Sequence, residues 1–346
     1  MGSCCHSPED VVTRSGAVFV EELRGGVVES RHVVHAAVVD ASGRLVAHAG
    51  EPELVTFWRS GAKPFQALPL VLDGVVERFG ITPPELALCC ASHSSEPEQV
   101  RLVRELLAKI GCSEGDLLCG PHPPLSERVA HDYATRGVRL TAAYSNCSGK
   151  HAGMLALARH HGWPIEFYTR RDHLVQQRCL SEVARWSDVP AERIGTAVDG
   201  CGVVCFAIPL RSMARAYARL GRDAGSEKVV DAMLRHPELI AGEGRPCTDM
   251  MRAHPGRVVA KVGAAGVYCG LLTQQGWGIA LKVADGNGPA TVVAMVAILS
   301  ELGLRPQPER LVSQPILNTR GETVGEVRVN GGLEREKDAG SGRQDA

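Results

Sequence analysis

No apolar run in this 346-residue sequence approaches the roughly 20 residues that a membrane-spanning helix needs. Aromatic residues make up 4% of the chain, too few for the stacking platforms that bind single-stranded nucleic acid. Neither sign of charge prevails: 38 Lys and Arg face 39 Asp and Glu, so no overall field draws the chain to nucleic acid or an anionic membrane. Met1–Asp10 has no basic segment followed by an apolar one, so no secretory signal is expected, and His6 stands where a myristoylation signal wants Ser or Thr. The 12 cysteines include no Cys-x-x-Cys pair, which argues against a zinc ribbon or a thioredoxin motif. Reduced thiols in a cytoplasmic setting are the expectation.

What is present reads as a globular chain, with 44% hydrophobic and 22% charged residues. The β-branched residues from Ala17 to Ala49 predict strands, with a turn at Asp40-Ala41-Ser42-Gly43 between two apolar runs. Apolar spacing predicts helices over Gln66–Phe79, Pro97–Ile110, Ser148–His161, Asp172–Trp186, Glu227–His236 and Pro289–Leu302, most of them closed by glycine. Asp172 is the expected cap of its helix, and Ser94 or Ser95 that of the helix starting near Pro97. Trp277–Val283 reads as a strand. Irregular interleaving of strands and helices favours an α+β or layered αβα fold over a βαβ repeat. Residues 1–15 and 330–346 read as disordered tails around a single domain at 16–329.

Five segments carry chemistry. Ser60-Gly61-Ala62-Lys63 puts a hydroxyl and an amine three residues apart, on one face if helical, where a neutral lysine can act as the serine's base. Pro64 complicates the start of that helix, so its first turn is expected to be tight or to begin later. Cys90–Glu96 gathers hydroxyls, an imidazole and a carboxylate; Ser92 is the one least easily explained as a cap. Ser145–His151 places Cys147, Lys150 and His151 at a helix start, where a thiol's pKa falls and metal ligation becomes favourable. A phosphate loop is rejected, because no glycine stands at 144 and His151 follows Lys150. Asp199-Gly200-Cys201-Gly202 exposes a carboxylate and a thiol in a turn, and Lys261-Val262-Gly263 ends a strand much as Lys-Thr-Gly does in penicillin-recognising enzymes.

In order along the chain, Arg24-Gly25, Val28–His32, Arg59–Pro64, Ala91–Ser94, Asn146–His151, Asp199–Gly202 and Lys261–Ala264 resemble the motifs of the asparaginase II family, the zinc-dependent rhizobial type. The resemblance runs from about Val20 to Gly325. It implies a serine β-lactamase/glutaminase-like fold, a mainly antiparallel sheet flanked by helices, in a homodimer. It also implies hydrolysis of L-asparagine to L-aspartate and ammonia. By the same resemblance Ser60 and Lys63 form one catalytic tandem and Ser92 and Lys261 a second; Cys147, Lys150 and Cys201 ligate zinc; and Arg59, His151, Asp199 and Cys247 line the substrate site. Ser60 is expected to attack with Lys63 as base, although which serine is acylated stays open. Ala265 and Pro289 depart from the family pattern, which has an acid and an arginine there. A glutaminase, a β-lactamase-like hydrolase and a non-catalytic zinc-binding protein are the competing readings.

Overall fold

The computed structural model describes residues 18–305, 307–312 and 314–336; the expected N-terminal tail at 1–15 lies outside them. The chain begins with β1 (Val18–Arg24), β2 (Val27–Asp40) and β3 (Leu45–Ala49). A small sheet follows from β4 (Val55–Phe57), β5 (Gly195–Val198) and β6 (Val204–Pro209), with β6 in the middle. Three strands, β7 (Val258–Gly263), β8 (Val267–Leu272) and β9 (Trp277–Val283), then form a meander. The chain returns through β10 (Pro315–Leu317), β11 (Thr323–Asn330) and β12 (Glu334–Arg335).

All described pairings are antiparallel, and the large sheet runs β10-β11-β1-β2-β9-β8-β7. The 14-residue β2 is its spine: its first half pairs with β1, its second half with β9 and with β3. Along β2 the consecutive residues Ala36, Ala37, Val38 and Val39 are all 0% exposed. Successive side chains point to opposite faces, so a run with no exposed member is covered on both sides. Leu210–Leu220 packs on β2, β8 and β9, and Gly288–Glu301 on β1, β8, β9 and β11. The expected α+β, layered fold with a mainly antiparallel sheet flanked by helices is what the chain adopts. No described helix is long and apolar enough to cross a membrane.

The Asp40–Gly43 turn forms as expected, because Asp40 Oδ1 accepts from the Ser42 and Arg44 amides and from Ser42 Oγ. Ser148–His161 has the predicted bounds. Other expectations need correction. The single helix expected over 66–79 is two, Lys63–Leu72 and Val75–Phe79, because Gly74 adopts φ +78° and Arg178 and His161 hold Asp73. Asp172 does not cap its helix; the His173 ring accepts from the Val175 amide instead. Ser94 and Ser95 are likewise not caps, since Glu96 and Gln99 form the capping box, while Ser94 Oγ donates to Ala241 O and Ser95 Oγ to Tyr144 O. The tail expected from 330 onward begins too early: Glu334 and Arg335 pair with β3, and only 337–346 fall outside the described residues.

The helix Ser148–His161 crosses the helix Pro83–Cys89 at Gly149, where a Cβ would lie 2.3 Å from Leu88 O. Only glycine permits that approach. The crossing sets Cys147 and Lys150 beside the segment that leaves the Pro83–Cys89 helix with Ser92 on it.

Candidate functional site

The segment after Trp58 is a tight 3₁₀ turn, Arg59–Ala62, that runs straight into the helix Lys63–Leu72. Pro64 sits in the first turn of that helix, where a missing N–H costs nothing. Lys63 therefore points inward, and its side chain is 1% exposed. Its amine donates to Ala91 O at 2.5 Å, to Ser92 Oγ at 3.1 Å and to Asn146 O at 3.4 Å. All three acceptors hold the one amine in place against Ser92. The expected Ser60–Lys63 hydrogen bond is not formed. Ser60 lines the cavity above, while the amine of Lys63 reaches the other serine.

Lys261 approaches Ser92 from β7. Its amine is 2.8 Å from Ser92 Oγ and donates to Val262 O at 3.0 Å. It is 0% exposed, and its pKa is lowered to about 7, by burial first and then by the nearby Lys63. A neutral amine with one donated bond has a lone pair for the Ser92 proton. Ser92 is held in place by its own amide, which donates to Ile240 O at 2.9 Å. One hydroxyl thus stands between two amines in a nearly dry pocket.

Above it opens a cavity of about 420 Å³, lined among others by Arg59, Ser60, Ser92, Cys147, Asp199 and Cys201. Asp199 Oδ1 accepts from Arg59 Nε at 2.8 Å and from the Gly200 amide at 2.8 Å. Arg59 holds this pose with φ +53°, a left-handed backbone that only a few per cent of non-glycine residues adopt. Such a value often marks a residue fixed for function.

At the cavity wall Lys150 Nζ donates to Cys201 Sγ at 3.0 Å, and the free thiols of Cys201 and Cys147 lie close enough to shift each other's titration. Hydrogen bonding with the Cys201 thiol, reinforced by Lys63 and Lys150, pulls the Cys147 thiol well below its ordinary range despite its burial. Cys201 is pushed the other way, by the Cys147 hydrogen bond and by burial. Burial alone would lower Lys150, but Cys147 and Cys201 outweigh it and hold the amine protonated. Among the described residues no three His, Cys, Asp or Glu side chains converge as a metal site. The donor cluster here is two sulfurs and the Lys150 nitrogen.

His151 and Cys247, expected to line the cavity, stand behind its wall. The His151 ring lies 2.5 Å from Tyr168 Oη, which accepts from the Leu118 amide and so ties the 118 loop to this helix. Cys247 Sγ accepts from the Val262 amide and from Tyr268 Oη. The cavity also uses His122 and Arg245, which no motif singles out. Each sits beside a proline in a loop of irregular composition, and a local pattern leaves no signal for them.

Among solved structures, the fold is similar to a β-lactamase from Mycobacterium bovis at 17% identity, covering 78% of this chain and 95% of that one, with a TM-score of 0.43. A penicillin-binding protein homologue from Pyrococcus abyssi shows 14% identity over 88% and 84%, with a TM-score of 0.40. A putative β-lactamase from Bacteroides dorei shows 12% over 79% and 86%, with a TM-score of 0.38. Comparison with curated proteins finds no significant match. Ser60, Ser92, Cys147 and Cys201 line one cavity, with Lys63, Lys261 and Lys150 hydrogen-bonded behind them, and the L-asparaginase II family model matches residues 20–329, nearly the whole chain: the chain belongs to that family.

Proposed function

We propose that this chain hydrolyses the side-chain amide of L-asparagine to L-aspartate and ammonia through an acyl-enzyme on Ser92. The observation that carries the reading is the convergence of Lys63 and Lys261 on one buried hydroxyl beside a cavity. Lys261 takes the Ser92 proton as Oγ attacks the amide carbon, then hands it to the departing nitrogen. Ammonia leaves and an ester remains. Water, deprotonated by the same amine, attacks the ester, aspartate is released, and Ser92 regains its proton. Lys63 holds Oγ in place and stabilises developing negative charge as a fixed donor. Ser60, on the cavity wall, contacts the substrate rather than bonding to it covalently.

The reading includes zinc. Thiolate sulfur and neutral amine nitrogen are donors zinc accepts, so binding would displace the protons that Lys150 and Cys201 hold here; Cys147, Lys150 and Cys201 bring three such atoms together. These residues would hold the ion, which when bound supplies a positive charge and Lewis acidity beside the substrate. The reading also takes the protein as a cytoplasmic homodimer, in keeping with the family and with the ten described cysteines, all of them free.

Ammonia release from L-asparagine and L-glutamine, with and without added zinc, tests this directly. Ser92→Ala is expected to lower kcat roughly a thousandfold or more, and Ser60→Ala less than about a hundredfold. Mass spectrometry of quenched reactions should find the acyl group on Ser92. Full turnover by Ser92→Ala would overturn the mechanism.

A further inference from the structure

Two guanidinium groups face the cavity above Ser92, and they are held differently. Arg59 is committed to Asp199 at 2.8 Å. Arg245 is half-buried, and the one hydrogen bond its guanidinium makes among the described residues is to Ser94 Oγ, at 3.4 Å. Ser94 is itself engaged, donating to Ala241 O at 2.8 Å. No carboxylate of the described residues pairs with Arg245, so at the cavity lining its guanidinium keeps most of its N–H groups without a protein partner. Burial pushes its pKa down, with Cys247 and Tyr268 only partly opposing. A cation drawn partly out of water with no counter-charge costs free energy, and it is relieved when an anion docks. The guanidinium fork matches a carboxylate in two parallel bonds.

The backbone fixes where that fork stands. Arg245 precedes the helix Pro246–Ala253, its amide donates to Gly242 O, and its carbonyl accepts from Asp249 N. Two residues on from Arg245, Cys247 Sγ accepts from the amide of Val262, which with Gly263 follows Lys261 on β7 and lines the cavity. The group is therefore anchored on the same side of the cavity as the proposed base.

We infer that Arg245 binds the α-carboxylate of the substrate, so that the site selects amides that also carry a carboxylate. The inference rests on the amidohydrolase reading for the reaction, but not for the anion.

The test uses the full chain with zinc, as wild type, Arg245→Gln and Arg245→Lys. Ammonia release is measured from L-asparagine and from β-alaninamide, which is asparagine without its α-carboxylate. L-Aspartate binding is measured by calorimetry. For asparagine, Arg245→Gln is expected to raise KM on the order of a hundredfold while kcat changes less than about fivefold. With β-alaninamide, kcat/KM should move less than about threefold, since the lost contact has no partner there. Arg245→Lys should fall between, keeping the charge without the fork. An equal loss on both substrates, or an unchanged KM for asparagine, would overturn the inference. If Arg245→Gln does not fold, the same split in Arg245→Lys decides. Should the wild type release no ammonia, the amidase reading fails, and calorimetry decides the inference alone. Aspartate binding weakened about a hundredfold in Arg245→Gln supports it, whereas equal binding, or none to the wild type, refutes it.

Discussion

Lys261 lies between Ser92 Oγ and Val262 O, with a pKa near 7 imposed by burial and then by Lys63. Arg245 pushes in the same direction, and Cys247 and Cys147 oppose. As the proposed base it works only when neutral, so kcat/KM should fall about tenfold per pH unit below pH 7 and level off above it. A pH–rate profile flat from pH 5.5 to 8 would contradict this. Lys261→Arg, which cannot lose its proton, should be nearly inactive throughout. The stability effect has the opposite origin. The folded-state pKa is depressed from 10.5, so the unfolded chain binds more protons between about pH 7 and 10.5, and stability rises with pH across that window. Lys261→Met should remove this slope in urea midpoints while abolishing turnover. The serines and lysines themselves are legible in the sequence, but their pairing is not. Local spacing links Ser60 to Lys63, whereas the carbonyls of Ala91 and Asn146, 28 and 83 positions away, draw the amine to Ser92. No short window contains that competition.

Among the elements, the crossing of Ser148–His161 over Pro83–Cys89 carries the zinc-ligand candidates and the serine together. At Gly149 a Cβ would lie 2.3 Å from Leu88 O and 2.8 Å from Leu88 C, so the backbone must move. Gly149→Ala is expected to cost about 1–3 kcal/mol in urea unfolding and to lower kcat as well, because the displaced helix leads into Ser92. Gly162→Ala makes the contrast. Its φ is +69° with nothing within 4 Å, so it should cost about 1–2 kcal/mol and leave kcat unchanged. A kcat equally unaffected by Gly149→Ala would show that the crossing does not position the site. Helix existence was readable from apolar spacing, and Ser148–His161 matches to the residue. The break at Asp73-Gly74 was not, since Leu72, Val75 and Val76 continue the helical pattern and the partners that end it, Arg178 and His161, come from distant segments.

Across the whole molecule, the sheet is closed by strands from both ends of the described chain. β11 pairs with β1 over most of its length, from Phe19 opposite Asn330 to Arg24 opposite Gly325. At the centre of this seam Glu21, 0% exposed, accepts from Arg31, Arg328 and Asn330. Nothing in the local pattern of either strand announces that clamp; a glutamate inside a β-strand reads as a solvent-facing residue until both ends are paired. Burial alone would raise the pKa of Glu21, but the bonds from Asn330, Arg328 and Arg31 together lower it below 4.5. A depressed carboxylate contributes stability that is present above the unfolded-state pKa and lost as pH falls through the folded one. The urea midpoint of the wild type should therefore drop between pH 6 and pH 3.5. Glu21→Gln, which keeps the shape without the charge, should start lower at pH 6 and drop less. Arg328→Met should behave in the same way, because it removes one of the cations that hold the charge. If all three proteins lose stability in parallel as the pH falls, acid sensitivity resides in other carboxylates, and the seam is held by its backbone pairing and apolar contacts alone.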